Sequence, residues 1–128
     1  MTSIKKDLRK ALGQFGETAA AGELWKRGYE IIERNWRCRA GEIDIVARQG
    51  EDIVFVEVRT KRTGGPLSPE ESVNAAKQEK LAQLAELYLE SHPDLAEKPF
   101  RIDVAAVEVG RSGLVERIDV IENAVEGF

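Results

Sequence analysis

Cysteine and histidine are almost missing from this chain: Cys38 and His92 each stand alone. A single thiol excludes a disulfide framework and a cysteine-based zinc site. His92, beside Pro93 and after a predicted helix, reads as a solvent-exposed helix-end residue, not a ligand or base. Long apolar runs are missing too. None approaches the roughly twenty residues of a membrane span, and no basic-then-apolar leader opens the sequence. No membrane is therefore expected as a partner, and a reducing, cytoplasmic setting is the expectation. What remains is 128 residues, 42% apolar and 33% charged. That is enough to bury the core of one domain without staples. A single domain over 1–128 is expected, with no repeats and no linker.

A basic excess is also lacking, since the net charge is −4. The deficit is uneven. Residues 1–62 carry 13 Lys and Arg against 10 Asp and Glu, whereas residues 63–128 carry 6 against 13. The cations of the first half come in clusters: Lys5, Lys6, Arg9 and Lys10; Arg34, Arg37 and Arg39; Arg59, Lys61 and Arg62. Such clusters can follow a phosphate backbone even on an acidic protein. Each one taken alone also fits a solvated face, so charge does not decide the function.

The periodicity predicts a helix from about Ile4 to Arg27, with Leu8, Leu12, Phe15 and Ala19 on one stripe. Gly13 and Gly16 point to a break or a close packing contact, and the small-sided stretch from Thr18 to Gly22 should lie close against a sheet. Gly28 stops the helix. Tyr29 to Arg37 reads as a first strand. A loop by composition covers residues 63–69. A second helix follows from Pro69 or Glu70 to Glu90, with Val73, Ala76, Leu81, Leu84, Ala85 and Leu87 as its apolar side. Phe100 to Val109 and Leu114 to Ile121 read as strands around a turn at Gly110 to Gly113. The order is helix, three strands, helix, two strands: an α/β sandwich with a mixed sheet.

The second and third strands carry most of the information. Glu42 to Arg48 and Ile53 to Arg59 flank a turn whose two-residue loop opens with Gly50, the type II′ pattern suited to a hairpin. That loop pairs residues whose numbers sum to 101 and sets Asp44 opposite Glu57. Alternation then collects Ile43, Ile45, Ala47, Val54, Val56 and Val58 on one apolar face. The other face takes Glu42, Asp44, Val46, Arg48, Ile53, Phe55, Glu57 and Arg59.

Directly opposed residues of an antiparallel pair have Cα atoms about 4.5–5.5 Å apart, and like charges facing each other there are destabilising. Something should compensate. A divalent cation is the simplest candidate, because Mg²⁺ accepts one or two carboxylates and keeps several waters. Such an ion polarises a phosphoryl oxygen and lowers the pKa of bound water. An ordinary ionic network is the alternative: Asp44 with Arg48, Arg59 or Arg37, and Glu57 with Lys61 or Arg59.

The segments Gly41-Glu42-Ile43-Asp44-Ile45-Val46-Ala47 and Val54-Phe55-Val56-Glu57-Val58-Arg59-Thr60-Lys61-Arg62 closely resemble the core of the bacterial YraN-like family. Gly16-Glu17, Gly28-Tyr29, Arg34-Asn35-Trp36-Arg37, Lys77-Gln78-Glu79-Lys80 and Arg101-Ile102-Asp103-Val104 fall in the same order. That family looks like a member of the restriction-endonuclease-like superfamily and is most similar to archaeal Holliday-junction resolvases. The resemblance implies a three-layer sandwich with a mixed central sheet flanked by helices. It implies Asp44 and Glu57 as ligands of Mg²⁺ or Mn²⁺, and Glu17 as a third acidic group binding metal directly or through water. The superfamily signature has lysine where this chain has Arg59. A guanidinium can fork onto phosphate oxygens but is effectively never deprotonated. Lys61, on the same face two residues on, or Lys77 or Lys80 of the second helix, could supply an ammonium instead.

The expected function is a metal-dependent nuclease acting on DNA more than RNA, on branched or damaged structures. Asp44, Glu57, Glu17, Arg59 and Lys61 would form the catalytic set. Arg37, Arg39, Arg59, Lys61, Arg62, Lys77 and Lys80 would contact nucleic acid. Resolvase-like proteins act as symmetric dimers, which makes a homodimer one expected assembly. Two readings compete: a nucleic-acid-binding module that lost turnover through Arg59, and a protein-interaction domain using the acidic second half. Asp103 could extend the acidic site or pair with Arg101, the structural role being the preferred reading, and Glu42 reads as a rim charge. Trp25 and Trp36 read as packing residues, Trp36 also being placed to stack on a base.

Overall fold

The computed structural model describes residues 2–64 and 73–125. Its elements are α1 (Thr2–Lys26), β1 (Glu30–Cys38), β2 (Gly41–Gln49), β3 (Asp52–Arg62), α2 (Ala75–Ser91), β4 (Phe100–Val109) and β5 (Val115–Ile121). The strands form one sheet in chain order, with β3 and β4 parallel and the other neighbours antiparallel. Parallel neighbours need a crossover, and α2 lies within it. The two helices cover opposite faces. Ala20 and Leu24 of α1 bury against Ile45, Ala47, Val54 and Val56. Leu81, Leu84, Ala85 and Tyr88 of α2 bury against Val46, Ile53, Phe55 and Ile102. The architecture is mixed α/β, a five-stranded mixed sheet with a helix on each side, as the element order predicts. Among the described residues no helix is long and apolar enough to cross a membrane.

α1 runs unbroken but does not bury the predicted stripe. Leu8 and Phe15 are 60% and 45% exposed, and the buried side is Gly16, Glu17, Ala20 and Leu24. The reason is close approach. A Cβ on Gly16 would lie 2.0 Å from Thr60 Oγ1, so the helix crosses β3 backbone to side chain, where only a small residue fits. Trp25, expected to pack, is 72% exposed, whereas Trp36 meets Tyr88 edge to face at 5.2 Å. Gly28 ends the helix at φ +92°.

α2 starts later than predicted. Val73 and Asn74 are not helical, and the Asn74 side chain caps the helix by accepting the Lys77 N–H at 3.0 Å. Most of the loop and the first turn expected over residues 63–72 lie outside the described residues. The buried side is Leu81, Leu84, Ala85, Tyr88 and Leu89, so Tyr88 and Leu89 take the place expected of Ala76 and Leu87.

The central hairpin has the predicted register over Ile45–Gln49 and Asp52–Val56, every pair summing to 101. Gly50 alone of the two loop residues has positive φ, at +60°, as a II′ turn requires. One face assignment differs. Ile43 leaves the face of Ile45 and buries against α2 instead. The alternation is broken at the Asn35–Asp44 step, where Asn35 takes the left-handed region at φ +57°, which asparagine tolerates better than most residues. Beyond it the β1–β2 end lies on α2, with Gly41 near Leu84 and Lys80.

Candidate functional site

The β2–β3 ladder stops at Ile45 and Val56. β2 nonetheless stays paired to β1 as far as Gly41, and β3 stays paired to β4 as far as Arg62. The sheet therefore forks between β2 and β3, and the first residues inside the fork are Asp44 and Glu57. Asp44 Oδ2 accepts the Val58 N–H at 2.8 Å, replacing a lost ladder partner. The two carboxyls lie within hydrogen-bonding reach of one another. Burial pushes the Asp44 carboxyl up, the Glu57 carboxylate beside it pushes it further, and the Val58 N–H opposes both. The result is a group raised to about 8. Glu57 is 8% exposed.

Both helices reach the fork. From α2, Lys77 Nζ stands 3.3 Å from Glu57 Oε2. From α1, Glu17 adds its charge to the field that raises Asp44. Its own Oε1 accepts from Arg34 Nε at 3.2 Å. Glu17 is placed by Gly16, the residue that lets α1 cross β3. A cleft of about 200 Å³ opens here, lined by Lys10, Gln14 and Glu17 on one side and by Asn35, Arg37 and Asp44 on the other.

Asp44 and Glu57 thus meet as the sequence suggests, one step past the last bonded pair. Glu17 shares their cleft but is held by Arg34, and among the described residues no three acidic, imidazole or thiol groups converge on a common metal position. Arg59 is half-buried on β3, two residues beyond Glu57. Lys61 is not brought to the pair. It lies about 13 Å along the strand from Glu57 at the usual rise, and its Nζ is 3.9 Å from Glu108. Arg37 lines the cleft but pairs with Glu42 at 2.9 Å, which makes Glu42 the expected rim charge. Arg39, Arg62 and Lys80 are exposed around the fork end of the sheet. Of the lysines considered, Lys77 is the one that reaches the carboxylates.

The roles of four residues at the cleft were not legible from the sequence. Arg34 clamps Glu17, Asn35 makes the break opposite Asp44, and Lys10 and Gln14 line the cleft with Glu17. Only the last carried a usable signal: Lys10, Gln14 and Glu17 fall on one helical face at i, i+4 and i+7. Asp103 belongs elsewhere. It is fully buried, accepts from Tyr29 Oη at 2.9 Å, Arg101 Nε at 3.0 Å and the Asn123 N–H at 2.9 Å, and is the structural partner of Arg101.

Two carboxylates in contact suit a hard cation that keeps most of its waters, since Mg²⁺ is commonly held by one or two carboxylates. Fold and site together define a mixed α/β protein whose sheet forks around an acidic pair flanked by an ammonium. The chain belongs to the uncharacterised protein family UPF0102, which it matches over residues 16–107. That span begins at the α1 crossing and contains Glu17, Asp44, Glu57, Arg59 and Lys77. A UPF0102 protein of Roseiflexus castenholzii is 49% identical over 118 residues, covering 92% of this chain and 95% of the relative. One from Moorella thermoacetica is 49% identical over 116 residues, covering 91% and 96%. One from Streptomyces griseus is 49% identical over 105 residues, covering 82% and 88%.

Proposed function

We propose that this protein is a divalent-metal-dependent nuclease of the restriction-endonuclease-like superfamily. It would hydrolyse phosphodiester bonds in DNA, with branched or damaged duplexes as the expected substrates. The observation that carries the reading is the fork, which puts the Asp44 and Glu57 carboxyls in contact at the only break of the central hairpin's ladder among the described residues. A ladder is interrupted at a cost in backbone hydrogen bonds, and two carboxyls held together add repulsion. A bound cation would offset both.

Asp44 and Glu57 would hold Mg²⁺ or Mn²⁺, and Glu17 would reach it through water, its own carboxylate being engaged by Arg34. Bound there, the ion would supply a polarised phosphoryl oxygen and an acidified water. The Val58 N–H fixes one Asp44 oxygen and would leave the other to the ion. Arg59, on the Glu57 face, offers a permanent charge to the phosphate and no proton transfer. Lys10 and Arg37, which line the cleft, would meet backbone phosphates. The sequence carries no base-reading motif, so selectivity for structure over sequence is the expectation.

Incubation of the purified protein with duplex, flap and four-way-junction DNA should give cleavage only with added Mg²⁺ or Mn²⁺, and Glu57→Ala should abolish it. Equal cleavage by that variant would remove Glu57 from the mechanism. Arg59 favours a second reading, a module that binds nucleic acid without cutting. On that reading DNA binding is salt-sensitive and no metal supports cleavage, while gain of cleavage in Arg59→Lys would mark a weakened nuclease site.

A further inference from the structure

We propose that Lys77 is a built-in counter-ion: its ammonium holds the Glu57 carboxylate until a divalent cation takes that oxygen, and then serves as a contact for backbone phosphate. The inference rests on the metal-site reading above and adds to it the identity of the group that the cation displaces.

The ion pair joins the start of α2 to the middle of β3. Glu57 sits in the middle of β3 and is 8% exposed, whereas Lys77 reaches it from α2, its side chain 35% exposed. The helix itself gives no reason for a cation at this position. Lys77 is the third residue of α2, directly over its N-cap, where the macrodipole disfavours positive charge. The first turn carries no acidic residue to offset it. A lysine kept against the dipole, with its long stem directed to a buried carboxylate, is accounted for by what its ammonium touches.

The contact also sets up a competition. An ammonium 3.3 Å from Glu57 Oε2 and a divalent ion on the same oxygen repel each other, so binding of the ion favours departure of the ammonium. Lysine can leave. Its ammonium rides on four rotatable carbons and is partly exposed, while Arg34 on Glu17 is held by two contacts, to Glu17 and Thr18. A released ammonium beside an anionic backbone has one obvious new partner.

The test compares full-length wild type with Lys77→Met, Lys77→Arg and, as a control for net charge, Lys98→Met, whose lysine faces Glu51 at the far end of the hairpin. Calorimetric titration with Mn²⁺ should give a Kd about fivefold tighter in Lys77→Met, the scale of a partly exposed ion pair. Lys77→Arg and Lys98→Met should stay at the wild-type value. With Ca²⁺ present, anisotropy of a labelled DNA duplex should show a salt slope smaller by about one in Lys77→Met than in wild type. Thermal melts of metal-free Lys77→Met should fall, because the buried Glu57 carboxylate loses its counter-ion, and should recover more than wild type does when Mn²⁺ is added. Unchanged or weaker Mn²⁺ binding in a folded Lys77→Met, or an unchanged salt slope, overturns the inference while leaving the metal site intact. Absence of Mn²⁺ binding in wild type and all variants overturns the metal site and this inference with it.

Discussion

Asp44 holds one oxygen on the Val58 N–H at 2.8 Å and presses the rest of its carboxyl against Glu57. Its group is raised by burial and by Glu57 from the ordinary carboxylate range near 3.9 to about 8. The sign of the linkage follows. In the metal-free protein the folded state favours the protonated acid, so this residue's contribution to stability is complete below about pH 4 and is lost as pH rises toward about 8. Asp44→Asn keeps an acceptor for the Val58 N–H and cannot ionise. In chelator-treated samples, wild type should lose stability relative to Asp44→Asn between pH 5 and pH 8, on the order of 4 kcal/mol. Urea denaturation at the two pH values measures the difference, and parallel curves would mean that the carboxyl is not perturbed. With Mn²⁺ added the wild-type loss should shrink, because the ion displaces the proton.

The α1 crossing of β3 depends on one missing methyl group. With Thr60 Oγ1, Cγ2 and Cβ at 2.0, 2.8 and 2.9 Å from the place of a Gly16 Cβ, Gly16→Ala must push the helix off the strand. Overpacking of this kind costs about 1–3 kcal/mol. The neighbouring Glu17 should move with it, so the variant should also lower metal affinity. Adding Thr60→Ala removes two of the three clashing atoms and should restore part of both losses, read by urea melts and Mn²⁺ titration. Independent, additive losses from the two substitutions would argue against the contact. Elements of this fold differ in how far the sequence revealed them. The β2–β3 register was legible because a two-residue loop headed by Gly50 and strict alternation admit one solution. The α1 face was not, because a glycine–alanine surface buries less area than the leucine stripe and wins through proximity to β3. Ile43 was misplaced since nothing local marks Asn35 as left-handed. Asp44 and Glu57 could be found as opposed like charges along one hairpin. Lys77 could not be chosen over Lys61 or Lys80, because distances between α2 and β3 are set by the packing of the whole layer.

Across the whole molecule, β2 is tied to β3 and β4 at one end and parts from β3 at the other, while β3 and β4 stay paired throughout. At the tied end Asp103 is enclosed by Tyr29, Arg101 and the Asn123 N–H, while Arg101 goes on to Asp52 at 2.9 Å and to Gln49. This network joins the α1–β1 junction, the β2–β3 turn, β4 and the segment after β5. Burial and Asp103 raise the Tyr29 hydroxyl to about 12, so it stays a donor throughout the working range of pH. The opposite end is where β2 leaves β3 and the carboxylates collect. A fork can hold two acidic groups apart from the ladder only if the strands are fixed elsewhere, so the network should support the fold without entering the site. Asp103→Ala would leave Tyr29 Oη, Arg101 Nε and the Asn123 N–H without the acceptor they share, a loss of about 3–5 kcal/mol for a broken buried pair. Mn²⁺ affinity of the folded fraction should stay within about twofold of wild type, as expected for substitutions well separated from the site. Denaturation followed by urea and Mn²⁺ binding followed by calorimetry on the same preparation separate the two effects. Loss of metal binding with stability retained would instead make Asp103 a fourth acidic member of the fork, and would mean that the tied and open ends act as one site.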